Sequence, residues 1–141
     1  MPRVLSALAL LLTLVLAFGC ETPEDELPTE EGPARVFGTV TYLQRVSLPP
    51  DAVVHVSLFD GARDSQSRNL VNEQTVAAEG ELPYHFAVWY KPDTLDPHHT
   101  YTLEARIDAG GHTWFKNTNE VRVITHGAPS QIELVLQMVA P

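Results

Sequence analysis

Few side chains in this sequence are placed to do chemistry. The only cysteine, Cys20, ends an apolar run from Val4 to Phe18. A solitary thiol there is a nucleophile, half of an intermolecular disulfide, or an attachment point. Six histidines invite a metal, but His55, His85, His112 and His126 stand alone, and the adjacent His98 and His99 project to opposite sides of an extended chain. Without an HxH or HExxH spacing, three or four ligands do not converge on zinc, so no metal and no other cofactor is expected. Ser57 and Ser65 lack a G-x-S-x-G context, and Glu79 and Glu81 flank a glycine as a solvated turn does. No residue is a catalytic candidate, and the chain reads as a non-enzyme.

Two tryptophans remain as candidates for binding. Trp89 shares its alternation with His85 and Lys91, and Trp114 with His112 and Lys116, which sets both on the face opposite the core-forming residues. An exposed flat aromatic grips a sugar ring or anchors a peptide at little entropic cost. The ordinary alternative is that a loop or a neighbouring strand covers them.

The segment before Cys20 has the parts of an export signal: Arg3 as its charged start, then an apolar run of fifteen residues broken only by Ser6 and Thr13. That run is shorter than the ~20 residues a spanning helix needs. Leu16-Ala17-Phe18-Gly19-Cys20 resembles the lipobox of bacterial lipoproteins, in which the cysteine sulfur receives a diacylglyceryl group and becomes the mature N-terminus. The family favours leucine where Ala17 stands. Ala17-Phe18-Gly19 also resembles an ordinary signal-peptidase site, whose cleavage would release a soluble protein with a free thiol. The expected organisation is therefore a lipoprotein signal peptide over residues 1–19, a lipid-bearing Cys20 with an acidic, proline-rich tether through residue 34, and a folded domain over 35–141.

Charge follows this division. The 141-residue chain carries −9, yet six acids (Glu21, Glu24, Asp25, Glu26, Glu30, Glu31) precede residue 35, and the domain beyond holds twelve acids against eight bases. An acidic chain is a poor nucleic-acid binder, because phosphate neutralisation requires a basic stripe. "ETPEDELPTEEGPA" has Leu27 as its single large apolar residue and cannot bury enough area to offset its ordering entropy. Extended at ~3.1 Å per residue, such a tether reaches ~45 Å and repels an anionic surface. Glu21 is not the aspartate that resembles an inner-membrane retention signal after the lipidated cysteine, so an outer-membrane anchor facing the periplasm is the default.

From Arg35 onward the hydrophobic period is two. "RVFGTVTYLQ", "AVVHVSLFD", "NLVNEQTVAA", "PYHFAVWYK", "TYTLEARID", "HTWFKN", "EVRVIT" and "QIELVLQMV" read as about eight strands, the third being the weakest, separated by glycine, proline and aspartate turns. The predicted fold is all-β: an antiparallel β-sandwich of about 7–8 strands, Ig-like or transthyretin-like, with one side of each strand buried. Tyr101-x-Leu103-x-Ala105, following Asp96-Pro97-His98-His99, fits a tyrosine corner tying a loop to the strand beside it.

Gly38-x-Val40-x-Tyr42, Leu48-Pro49-Pro50-Asp51-Ala52, Val56-x-Leu58-x-Asp60, Tyr101-x-Leu103-x-Ala105-x-Ile107, and Phe115 before Val121 and Val123 together resemble the YbaY-like lipoproteins, related to the YscW type III secretion lipoprotein chaperones. The resemblance covers residues 35–139 and offers no catalytic residues to carry over. It implies a non-catalytic envelope lipoprotein whose β-domain binds a protein partner, as an assembly chaperone or pilotin for an outer-membrane secretin, with membrane lipid as the second partner through acylated Cys20. The alternatives are a small-ligand or glycan-binding module using Trp89 and Trp114, and a soluble periplasmic hydrolase.

Overall fold

The computed structural model describes residues 32–139. The export signal, Cys20 and the acidic tether through Glu31 lie outside the described residues. Eight strands form: β1 (Ala34–Tyr42), β2 (Val53–Asp60), β3 (Asn69–Ala77), β4 (Tyr84–Tyr90), β5 (Tyr101–Ala109), β6 (His112–Lys116), β7 (Val121–Val123) and β8 (Gln131–Met138). A 3-10 turn, Pro92–Thr94, follows β4.

The core follows from the alternation. Val36, Val40 and Tyr42 of β1, Val54, Val56 and Leu58 of β2, and Tyr84, Phe86 and Val88 of β4 are buried. Tyr101, Leu103, Ala105 and Ile107 of β5 meet Phe115, Leu134 and Leu136 in the same cluster. The Tyr42 and Phe115 rings stack with centroids 4.2 Å apart, joining β1 and β6, the two strands that flank β8.

The arrangement of the sheet departs from the expected pair of facing antiparallel layers. One hydrogen-bonded path runs β3-β2-β5-β6-β8-β1-β4, with β7 paired to β5, and it curls until its two end strands, β3 and β4, lie side by side. The result is a mixed sheet nearly closed into a barrel. An Ig-like or transthyretin-like sandwich would keep its two layers separately paired.

The physical cause of the difference is β8. Its first six residues pair in parallel with β1, from Phe37↔Gln131 to Tyr42↔Leu136. Strand twist then carries its end away from β1 to pair antiparallel with β6 at Phe115↔Met138 and Lys116↔Gln137. Gly38 permits the close approach to β1, since a Cβ there would sit 1.7 Å from the carbonyl oxygen of Ile132. No side chain fits that gap.

Candidate functional site

Trp89 is 47% exposed, as its alternation implies. It stands opposite Arg35 in the β1–β4 register, and the Arg35 guanidinium lies 5.4 Å from the Trp89 ring centroid and 4.7 Å from that of Phe37. A cation held between two aromatic faces fixes both rings against the sheet. The patch is therefore a firm aromatic surface with a positive charge at its centre.

Trp114 is placed differently, and the shared exposed role is corrected. β5 pairs Ile107 with Phe115 but Asp108 with Thr113, so Trp114 is the extra residue of a β-bulge. The bulge shifts the alternation, and the indole packs against the core. In the sheet path β8 and β1 stand between β6 and β4, so the structure does not bring the two tryptophans together.

Beside Trp89 runs the seam where the barrel fails to close. Among the described residues β3 pairs with β2 alone and β4 with β1 alone. Two carboxamides bridge them: Asn72 Nδ2 donates to the Trp89 carbonyl at 2.8 Å, and the Ala87 amide donates to Gln74 Oε1 at 2.6 Å. Asn72 and Gln74 stand opposite Leu58 and Val56, positions that alternation assigns to the core face. Polar residues there weakened the third strand's pattern in the sequence. Their amides serve the neighbouring edge instead of the core.

Cavities open at both ends of this seam. One, about 370 Å³, is lined by Val71, Trp89, Tyr90 and Lys91 among others, and the second, about 490 Å³, by Arg35, Phe37, His85 and Gln131 among others. Among the described residues neither lining includes a carboxylate. Leu70, 55% exposed, adds apolar surface on β3.

Away from the seam, the titratable groups are tied to one another. Ser57 Oγ donates to Glu73 Oε2 at 2.7 Å, which holds the Glu73 carboxyl below the usual range. His55 lies between Glu73 and Asp108, 3.5 Å from each, on opposite ring nitrogens, so the two acids cannot share an ion with it. Burial would raise the Asp108 carboxyl, but hydrogen bonds from Arg106 and Thr113 outweigh it and hold it low. His99 Nδ1 lies 3.0 Å from Asp60, and that hydrogen bond raises the His99 pKa. Ser57 thus points at a carboxylate and not at a histidine base. Among the described residues no cluster of three histidine, cysteine or carboxylate ligands can hold a metal.

Asn117, unremarked in the sequence, is buried where β6 ends and β7 has yet to begin. Its Oδ1 accepts from the Ala105 amide at 2.9 Å, and its Nδ2 donates to the Leu103 and Asn119 carbonyls. A carboxamide thereby fills a gap in the β5 ladder. Nothing in the sequence sets it apart, because Lys116, Thr118, Asn119 and Glu120 beside it are polar too.

Fold and site together define a small, nearly closed barrel with one unzipped seam and an exposed aromatic-cationic patch beside it. Residues 31–136 match the type III secretion system lipoprotein chaperone (YscW) family, and the chain belongs to that family. It is also similar to the uncharacterized lipoprotein YbaY of Escherichia coli (strain K12), 31% identical over 93 residues. Those residues are 65% of this chain and 49% of YbaY, so the chain spans about half of that relative. Among solved structures it resembles an alternative pilotin from the type II secretion system of Vibrio cholerae, with a TM-score of 0.72 and 27% identity over 77% of this chain and 99% of that one.

Proposed function

We propose that this chain is a lipid-anchored envelope chaperone that holds a protein client, a secretin subunit, and carries it to the outer membrane. The observation that supports this best is the likeness to the Vibrio cholerae pilotin, which extends over 99% of that chain. In this reading Cys20 bears the lipid, the acidic segment from Glu21 to Pro33 is the tether, and the barrel, which begins with β1 at Ala34, is the client-binding part. A myristoyl-sized chain alone binds membranes only marginally, so a lipobox-type anchor with more than one chain provides the lasting attachment. Anchor and barrel on one tether convert delivery into an intramolecular event at high effective concentration.

Binding rather than catalysis fits the polar groups, because Ser57, Glu73, His55, Asp108 and Arg106 bond mainly to one another. The client-facing surface in this reading is the Trp89 patch. The test is removal of the protein from its native cell, followed by quantification of secretin multimers in outer-membrane fractions. The expected result is a fall of at least tenfold, with monomers accumulating. Unchanged multimer levels for every secretin in the cell would rule the reading out.

A further inference from the structure

We propose that the seam between β3 and β4 takes up an extended acidic segment of a partner polypeptide as an added strand. This rests on the client-binding reading above and names the kind of segment bound. Among the described residues β3 and β4 each have one hydrogen-bonded neighbour and lie side by side, and an edge without a ladder is a template for a further strand. Natural sheets blunt such edges with charge, proline or a covering element. Here Asn72 and Gln74 are the bridge.

The chemistry of that bridge points to its replacement. A carboxamide carries one carbonyl and one amino group, the same donor and acceptor as a peptide unit. Asn72 donates to the Trp89 carbonyl and Gln74 accepts from the Ala87 amide, so the two side chains make bonds that the backbone of a paired strand would make. An incoming strand that supplied its own amides would release both side chains without leaving a buried group unsatisfied. Asn72 is exposed and Gln74 half-buried although they stand opposite buried Leu58 and Val56, so the seam is the open margin of the core face and exchanging their two bonds for a strand's gives up little burial.

Charge selects the occupant. The domain holds more acids than bases, yet among the described residues the side chains lining the two seam cavities include Arg35, Lys91 and His85 and no carboxylate. An added strand with apolar residues toward Val71 and Trp89 and acidic residues toward Arg35 and Lys91 matches both features. A basic segment would meet like charge at both ends.

The test uses the full mature chain in detergent micelles and three synthetic nine-residue peptides. One alternates valine and glutamate, one alternates valine and lysine, and one is the valine–glutamate peptide with alternate amides N-methylated. Binding is read from Trp89 fluorescence in a Trp114→Phe background, with protection of β3 and β4 amides from hydrogen exchange as the second measurement. The valine–glutamate peptide is expected to bind and protect both edges, while the lysine and N-methylated peptides bind at least tenfold more weakly. Equal binding of the N-methylated peptide overturns strand addition, and equal binding of the lysine peptide overturns the acidic preference. Absence of binding by all three overturns the proposal, as does binding that appears only after residues 21–31 are removed, which would make the chain's own tether the occupant. A Gln74→Cys, Ala87→Cys pair, oxidised to lock the seam, separates this inference from the chaperone reading. Secretin assembly undiminished by the lock sinks the seam and leaves the chaperone standing.

Discussion

The Tyr101 hydroxyl accepts a hydrogen bond from the backbone amide of Asp96 at 2.8 Å, so the first residue of β5 ties down the loop that leads into it. The ring is buried, and burial raises the pKa of its phenol. Replacing Tyr101 by phenylalanine keeps the packing and strands the amide, at a cost of about 1–2 kcal/mol. Urea denaturation measures it, and the slope of the transition should not change.

Gly38→Ala is the most damaging small substitution expected in β1. The new methyl group would sit 1.7 Å from the Ile132 carbonyl oxygen, which is itself backbone. β1 and β8 must part locally, at a cost of about 3 kcal/mol or more by analogy with severe overpacking. Thermal unfolding reads the loss, and a melting temperature within a degree of the parent would contradict the parallel β1–β8 register.

The two tryptophans should behave in opposite ways. Trp89→Ala removes a half-exposed ring and costs less than about 1 kcal/mol of stability, while client capture falls at least tenfold. Trp114→Ala opens a void against the core, costs about 2–3 kcal/mol, and leaves capture intact once the protein is folded. Denaturation and pull-down on the same preparations check both halves.

Why one tryptophan was legible in the sequence and the other was not is a matter of local geometry. Alternation located all eight strands and placed Tyr101, Leu103, Ala105 and Ile107 correctly in the core. It failed at Trp114 because a bulge inserts one residue and reverses the parity beyond it, and no residue type near Trp114 announces a bulge. Pairing was beyond its reach for a related reason. A strand's pattern states which face is buried and not which neighbour it bonds, so the double pairing of β8 and the curl that brings β3 to β4 were invisible. Asn72 and Gln74 did leave a mark as a weak strand, but only the seam explains it.

Acid should weaken the fold through the outer face of β2 and β3. The Glu73 carboxyl is held below its ordinary value chiefly by the Ser57 hydrogen bond, so its stabilisation is present above about pH 4.5 and is lost as pH falls through the lowered folded value. Asp108, also lowered, adds to the loss in the same acid range. His99 acts in the other direction: its pKa is raised, chiefly by the Asp60 hydrogen bond, so its contribution is present below about pH 6.5 and fades as pH rises through the raised value. Stability measured from pH 3 to 8 should rise through the acid range. Glu73→Gln should flatten that rise, and Asp60→Asn should remove the decline at the neutral end.

The account turns on a lipidated chain that escorts a client, and membrane fractionation of the client tests it most directly. Secretin subunits should sediment with the outer membrane in cells making the wild-type chain. They should remain in the periplasm, bound to the unanchored chaperone, in cells making Cys20→Ser. Secretin that reached the outer membrane equally well with Cys20→Ser would contradict the account.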